Sequence, residues 1–355
     1  MHTIASVPSL STSRLAALGA RFAELKIVVV GDYCLDRYFD IDPARAEISI
    51  ETGLVVHNVV GVRCQPGGAG TIINNLSALG IGEIRVVGFC GEDGEGWELR
   101  NALAKVRGAE LSGFITTPKR QTFTYSKPLV RHAGRPPEEL SRLDMKNWTP
   151  TPPEVRQALH AALAKAVQGA DALIVLEQVD LPEVGAIDPA WLASGGILAE
   201  AAKRMPVLAD SRRGLTGWPN VIFKMNAAEL GKLSGQPGNT YIPVREAVAA
   251  MVKRNQQPVF VTLSENGIIG GAVDGAVYHV ASLPVRGPID IVGAGDSVTA
   301  NLTAGLAAGA TLPEAMSQAM LAASIVIHQL GTTGTASVAQ IEETLRGVSA
   351  AKGGV

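Results

Sequence analysis

The chain is organised by short, nearly unbroken apolar runs. Lys26 to Gly31 (KIVVVG) is β-branched and closed by glycine, and similar runs recur at Arg85 to Gly88, Ala172 to Leu176, Pro206 to Asp210 and Val259 to Thr262. Such runs suit strands buried on both faces, as in parallel sheets. Alanine-rich helical stretches lie over 70–79, 96–106, 153–167, 189–204, 227–233 and 244–254. The alternation predicts a doubly wound α/β fold, its sheet mostly parallel and covered by helices on both faces. Two segments, 39–63 and 122–130, read as extended chain with no following helix, which predicts a small β-sheet inserted at the domain edge as a lid. One domain is expected over 26–345, preceded by an extension containing one helix (1–25) and followed by a tail (346–355).

Composition narrows the function. Among 355 residues, 31 Lys and Arg face 33 Asp and Glu, a formal net charge of −2. Neither nucleic acid nor an anionic membrane surface is an expected partner, because both need an excess of cations; small molecules are. The most apolar stretch, 297–341, is broken by Gly305, Gly309, Pro313, Gly331 and Gly334, so no run reaches the roughly 20 residues of a bilayer span. The first 25 residues lack a basic start followed by a sustained apolar stretch, and a cytoplasmic location is expected. Cys34, Cys64 and Cys90 are far apart, and the six histidines show no paired spacing, so neither a disulfide framework nor a zinc site is indicated.

The sharpest chemical motif is Asp290 to Ser297 (DIVGAGDS), followed by a helix of small residues. Gly293, Ala294 and Gly295 would expose backbone N–H groups at the positive end of that helix, where an anion can sit. Asp296 in such a nest makes sense as a base that takes a hydroxyl proton while the nest holds charge on a transferring phosphoryl group. For the motif in isolation, a plain N-cap with the glycines as a tight turn is the better explanation. Gly67 and Gly68 precede a helix and let backbone approach a ligand, and Asp36, near the end of the first strand, can grip sugar hydroxyls. Asn226 and Glu229, at i and i+3, could hold Mg²⁺-bound waters near a nucleotide, or simply form a capping box. A GxxxxGK[ST] loop and a GxGxxG turn after the first strand are both absent, which excludes P-loop NTPases and dinucleotide-binding dehydrogenases.

Taken in order, Gly31-Asp32…Asp36, Pro66-Gly67-Gly68, Asp210, Asn226…Glu229, Thr262…Gly267 and Gly293 to Asp296 resemble the ribokinase-like (PfkB) carbohydrate kinases over residues 26–345. Within them, Gly31 to Tyr38, Arg142-Leu143-Asp144 and Leu330 to Thr332 look most similar to the heptose 7-phosphate kinase domain of ADP-heptose synthesis; the nucleotidyltransferase domain of the bifunctional enzymes is not in this sequence. The resemblance implies an ATP-dependent kinase for a sugar or sugar phosphate. It makes Asp296 the catalytic base and Gly293, Ala294 and Gly295 the anion hole. Asp36, Gly67, Gly68, Thr71 and Arg142 fall at acceptor positions. Asn226, Glu229, Arg212, Thr262, Ser264, Glu265 and Gly267 fall at nucleotide positions, with Asn226 and Glu229 touching Mg²⁺ through water and a monovalent cation such as K⁺ as a further ligand. Three positions depart from the family pattern: Thr71 and Met320 stand where asparagine is usual, and Val292 where threonine is. They leave open a catalytically weak sugar- or nucleotide-binding protein, and a nucleoside kinase remains a further alternative. The exposed alternation at Ile48, Ile50, Leu54 and Val56 leads us to expect a homodimer formed through the lid.

Overall fold

The computed structural model describes residues 10–135, 137–234 and 241–353; the start of the N-terminal extension and the last two residues of the tail lie outside the described residues. Ten strands form the main sheet, in the spatial order 277–280, 268–271, 259–262, 222–226, 207–211, 172–177, 26–31, 83–91 and 109–110, with 114–117 pairing further along 83–91. From Val259–Thr262 to Glu83–Gly91 the pairings are parallel, and only Ile268–Gly271 and Val277–Val280 run antiparallel. The first strand shows why both faces are covered: Ile27 and Val29 enter one core, Val28 and Val30 the other. Helices Ala69–Leu79, Ala294–Ala307 and Leu312–Val326 close the first face, and Pro153–Ala166 with Tyr241–Asn255 the second.

Several local expectations shift. The helix expected over 189–204 is two helices, Pro189–Leu192 and Ile197–Ala202, because Gly195 turns the chain at φ +78. Ile222–Asn226 is a full member of the sheet although Lys224 interrupts its apolar run. The extension is no separate appendage: Thr12–Phe22 buries Leu15, Leu18 and Phe22 in the same core as Ile341 and Leu345. The C-terminal helix Val338–Gly353 runs through the boundary expected at 345.

A second sheet grows directly from the first. After Gly31 the chain turns at Asp32 and continues as Tyr33–Ile41, paired antiparallel with Val59–Gly68 and parallel with Thr124–Val130. Glu138–Glu139 and Leu143–Met145 extend it, and Glu47–Ile48 with Val55–Val56 forms a separate two-stranded ribbon. The two ends of the segment 39–63 and the segment 122–130 therefore fall in this edge sheet, which begins earlier, at Tyr33, while the middle of 39–63 forms the separate ribbon. It stands over the C-terminal ends of the parallel strands, where open α/β sheets bind ligands.

Candidate active site

A cleft of about 550 Å³ lies between the two sheets. Its lining comes from the edge sheet, from the ends of the parallel strands and from the turn that opens the helix Ala294–Ala307.

On the edge-sheet side, the antiparallel register sets Cys34 opposite Gly67 and Asp36 opposite Gln65. A Cβ at Gly67 would lie 2.7 Å from Asp36 Oδ2 and 2.8 Å from Cys34 Sγ, so only glycine fits there. Gly68 sits at φ +57, as N-cap of Ala69–Leu79, where a side chain would also strike the Asp32 carbonyl at 2.5 Å; its conformation and its neighbour both demand glycine. Asp36 is 7% exposed, with Lys127 Nζ at 3.9 Å. Burial raises its carboxyl above the usual range, against the pull of Lys127 and Arg142. Arg142 is clamped bidentately by Asp144, at 2.7 and 2.8 Å, and stacks over Tyr125.

On the opposite side, Gly293 at φ +83 caps the helix Ala294–Ala307, which carries Asp296 in its first turn. Burial at the base of the cleft pushes Asp296 up to about 7, with Lys224 drawing it down and Asp210 pushing it further up. Lys224 is itself buried and donates to Asp210 at 2.6 Å; burial would lower its ammonium, but the carboxylates of Asp210 and Asp296 hold it above its ordinary value. A Cβ at Gly295 would lie 3.3 Å from Lys224 Nζ. The cation thus stands directly beside the turn that the sequence marks as an anion site. Thr299 Oγ1 donates to the same Asp210 oxygen at 3.2 Å.

Asp36, Gly68, Thr71, Arg142, Arg212, Asn226, Glu229, Gly293, Gly295 and Asp296 all line this one cleft. Gly67 lies just behind it, under Asp36, and Ala294 opens the helix without lining it. Thr262, Ser264, Glu265 and Gly267 do not line it either. They turn the next strand, where Thr262 pairs with Asn226 and a Cβ at Gly267 would meet the Val280 carbonyl at 2.1 Å. Met320 is packed in the core, 6% exposed. Asn226 and Glu229 do form a reciprocal capping box: Asn226 Oδ1 accepts from the Glu229 N–H at 2.9 Å, and Glu229 Oε2 accepts from the Asn226 N–H at 2.8 Å.

Sequence reasoning gave no role to Lys127, Lys146, Gln178, Asp180 or Lys224, all in the cleft wall. Only Lys224 carried a signal, as a lone charge inside an apolar strand. Among the described residues, no helix is long and apolar enough to cross a membrane, and no group of three or more His, Cys, Asp or Glu could by itself hold a metal ion.

Comparison with known proteins agrees with the fold. A family model for pfkB family carbohydrate kinases matches residues 188–339. A bifunctional protein HldE from Alkalilimnicola ehrlichii is 32% identical over 341 residues, covering 92% of this chain and 64% of that protein. Another from Trichlorobacter lovleyi is 30% identical over 326 residues, covering 89% and 62%; the chain thus spans less than two thirds of these relatives. Among solved structures, Arabidopsis thaliana ribokinase complexed with ribose and ATP superimposes with TM-score 0.66 at 20% identity, covering 91% of this chain and 99% of that one. Escherichia coli phosphofructokinase-2 in complex with potassium does so with TM-score 0.70 at 21% identity, covering 92% and 99%. Residues 188–339 thus match the pfkB family carbohydrate kinases, and the fold of the chain is ribokinase-like.

Proposed function

We propose that the protein transfers the γ-phosphoryl group of ATP to a hydroxyl of a sugar phosphate, with heptose 7-phosphate as the first substrate to test. One observation carries this reading: a carboxylate held near neutrality, Asp296, shares a cleft with the half-buried anion turn Gly293–Gly295, a buried lysine and the sugar-gripping carboxylate Asp36. The acceptor would lie against Asp36, Thr71 and the edge sheet. Asp296 takes the proton of its hydroxyl as that oxygen bonds to the γ-phosphorus and the bond to the ADP oxygen breaks. The amides of the Gly293 turn, the helix behind them and the Lys224 ammonium oppose the charge that collects on the transferring oxygens.

Mg²⁺ fits the donor set if bound through water. Glu229 and Asp210 offer carboxylate oxygens, but the capping box commits one Glu229 oxygen to the backbone and Lys224 and Thr299 occupy one of Asp210, too few free ligands for an all-protein site and the usual number for Mg²⁺. The ion would screen the negative charge of the nucleotide phosphates. Activation by K⁺ belongs to the same reading, since the phosphofructokinase-2 that shares this fold was solved with potassium.

A phosphorylated acceptor is favoured over a nucleoside because Lys127, Arg142 and Lys146 line the edge-sheet wall. A pure binding protein is disfavoured, because a carboxylate beside an anion turn weakens phosphate binding unless it serves as a base. As part of the proposal, a second subunit covers the ribbon 47–56: Ile48, Ile50 and Leu54 are more than half exposed, as is Val55, while Val56, expected to be exposed with them, is half-buried; a monomer would leave this apolar patch in water. Turnover of a panel of sugars and sugar phosphates, read by ADP release, tests the activity.

A further inference from the structure

We infer that Asp32 is a positioning residue for the acceptor half of the cleft: its carboxylate fixes the backbone of 178–186, and through it the side chains of Gln178 and Asp180. The inference rests on the kinase reading for what the acceptor is, but not for how the wall is held.

Asp32 is 3% exposed and has no cationic partner among the described ion pairs. A buried carboxylate is costly unless its oxygens are filled. Here three backbone N–H groups fill them: Oδ2 accepts from Gln178 and Val179, each at 2.8 Å, and Oδ1 accepts from Ala186 at 2.6 Å. The surrounding chain is shaped to the same carboxylate. A Cβ at Gly185 would stand 2.4 Å from Oδ1. The Asp32 main chain donates to the Leu176 carbonyl and accepts from the Ala69 N–H, joining the first strand, its neighbour and the glycine-led helix at one residue.

The segment so held is not otherwise regular. Its far end is also fastened elsewhere: Arg120 and Thr151 donate to the Val184 carbonyl, and the Thr151 N–H to that of Glu183, a non-glycine residue at φ +63. Its near end carries the cleft residues, and there the described backbone bonds run to Asp32. Turning the Gln178 amide so that its oxygen faces Arg212 lets it accept from that guanidinium at 3.0 and 3.1 Å. Asp180 faces Lys146 at 3.9 Å. Because the strand 172–177 lies beside 26–31, Asp180 and its partner Lys146 belong to the acceptor half; Arg212, at the end of 207–211, stands between the two halves, and Asn226 and Glu229 lie two strands away from 172–177. Loosening the near end would therefore let Asp180 and Lys146 drift while leaving Asn226 and Glu229 in place.

The test compares wild type with Asp32→Asn, whose amide group would direct N–H donors at N–H donors. Amide hydrogen exchange of the peptide spanning 177–187 should speed up in the variant, while peptides over 222–234 exchange as before. Calorimetric titration with the member of the sugar-phosphate panel that wild type binds most tightly should show affinity weakened about tenfold or more, with ADP affinity changed less than about twofold. If Asp32→Asn does not fold, Gly185→Ala, which keeps the charge but pushes the carboxylate off the Ala186 N–H, should give the same split. Wild-type exchange in 177–187, or equal loss of sugar-phosphate and ADP binding, overturns the inference. Tight sugar-phosphate binding without turnover by wild type would instead overturn the kinase reading and leave this one standing.

Discussion

Lys224 donates to Asp210 across 2.6 Å from the adjacent parallel strand, where the pairing of 207–211 with 222–226 brings the two side by side. Both are buried, at 6% and 8% exposure. Breaking such a pair leaves a lone charge in protein, at a cost of about 3–5 kcal/mol. Lys224→Met should therefore lose both stability and turnover. The double variant Asp210→Asn with Lys224→Met should recover most of the melting temperature and none of the activity, because the cation beside Gly295 is still gone. Recovered activity in the double variant would show that the pair serves the fold alone.

Asp296 gives a pH dependence with a definite sign. Its carboxyl titrates near 3.8 when unfolded and at about 7 in the free protein, so kcat/KM should fall as pH drops below about 7, the base becoming protonated. Stability runs the other way. Between the two values the folded state keeps a proton that the unfolded state has released, so ionisable Asp296 makes the protein less stable as pH rises through that window and adds no further change above it. Asp296→Asn should melt higher than wild type at pH 8, with a smaller difference at pH 5, and its kcat should be lower by about 10² to 10⁴. Thermal melts at the two pH values check the first statement and steady-state rates the second.

Asp36→Ala should raise the acceptor KM while leaving that for ATP nearly unchanged, since a charge-assisted hydrogen bond to a hydroxyl is worth about 1.5–3 kcal/mol. Gly67→Ala should act through the same carboxylate, because its Cβ would arrive 2.7 Å from Asp36 Oδ2. Initial rates with each substrate varied in turn measure the split. A rise confined to ATP would mean that the two halves of the cleft are assigned in reverse.

The exposed ribbon makes a separate claim about assembly. Light scattering should give twice 37.0 kDa for wild type and 37.0 kDa for Ile50→Lys with Leu54→Lys, the charges being placed on the apolar patch of the ribbon. A wild-type mass of 37.0 kDa, unchanged by nucleotide or sugar phosphate, would remove the dimer.

The parallel core was legible because its strands are buried on both faces and must be apolar throughout, as at Lys26–Gly31 and Ala172–Glu177. Ile222–Asn226 was not, because the charge of Lys224 is affordable only beside Asp210, a contact that no local pattern records. Asp36, Gly68 and Asp296, each ambiguous alone, were joined in one site by the family resemblance that their motifs carry in order along the chain, and all three line one cleft. Ser264, Glu265 and Gly267 sit in an equally glycine-marked turn outside this cleft, where a Cβ on the glycine would meet the Val280 carbonyl. Lys127, Lys146 and Gln178 come from edge strands and an irregular loop, where side-chain direction is set by tertiary packing. Asp32, next to a strand-ending glycine, looked like part of a motif; only the fold reveals the three N–H groups that it receives.

The most direct test of the kinase reading is phosphorus NMR of ATP, Mg²⁺ and heptose 7-phosphate with wild type and with Asp296→Asn. Wild type should convert the γ-phosphate signal of ATP into a second sugar-phosphate resonance, with ADP appearing in equal amount, and the variant should leave ATP intact over the same time. Equal transfer by both proteins would contradict the role of Asp296. Absence of transfer by wild type, to this acceptor and to every other sugar phosphate of the panel, would contradict the proposed activity itself.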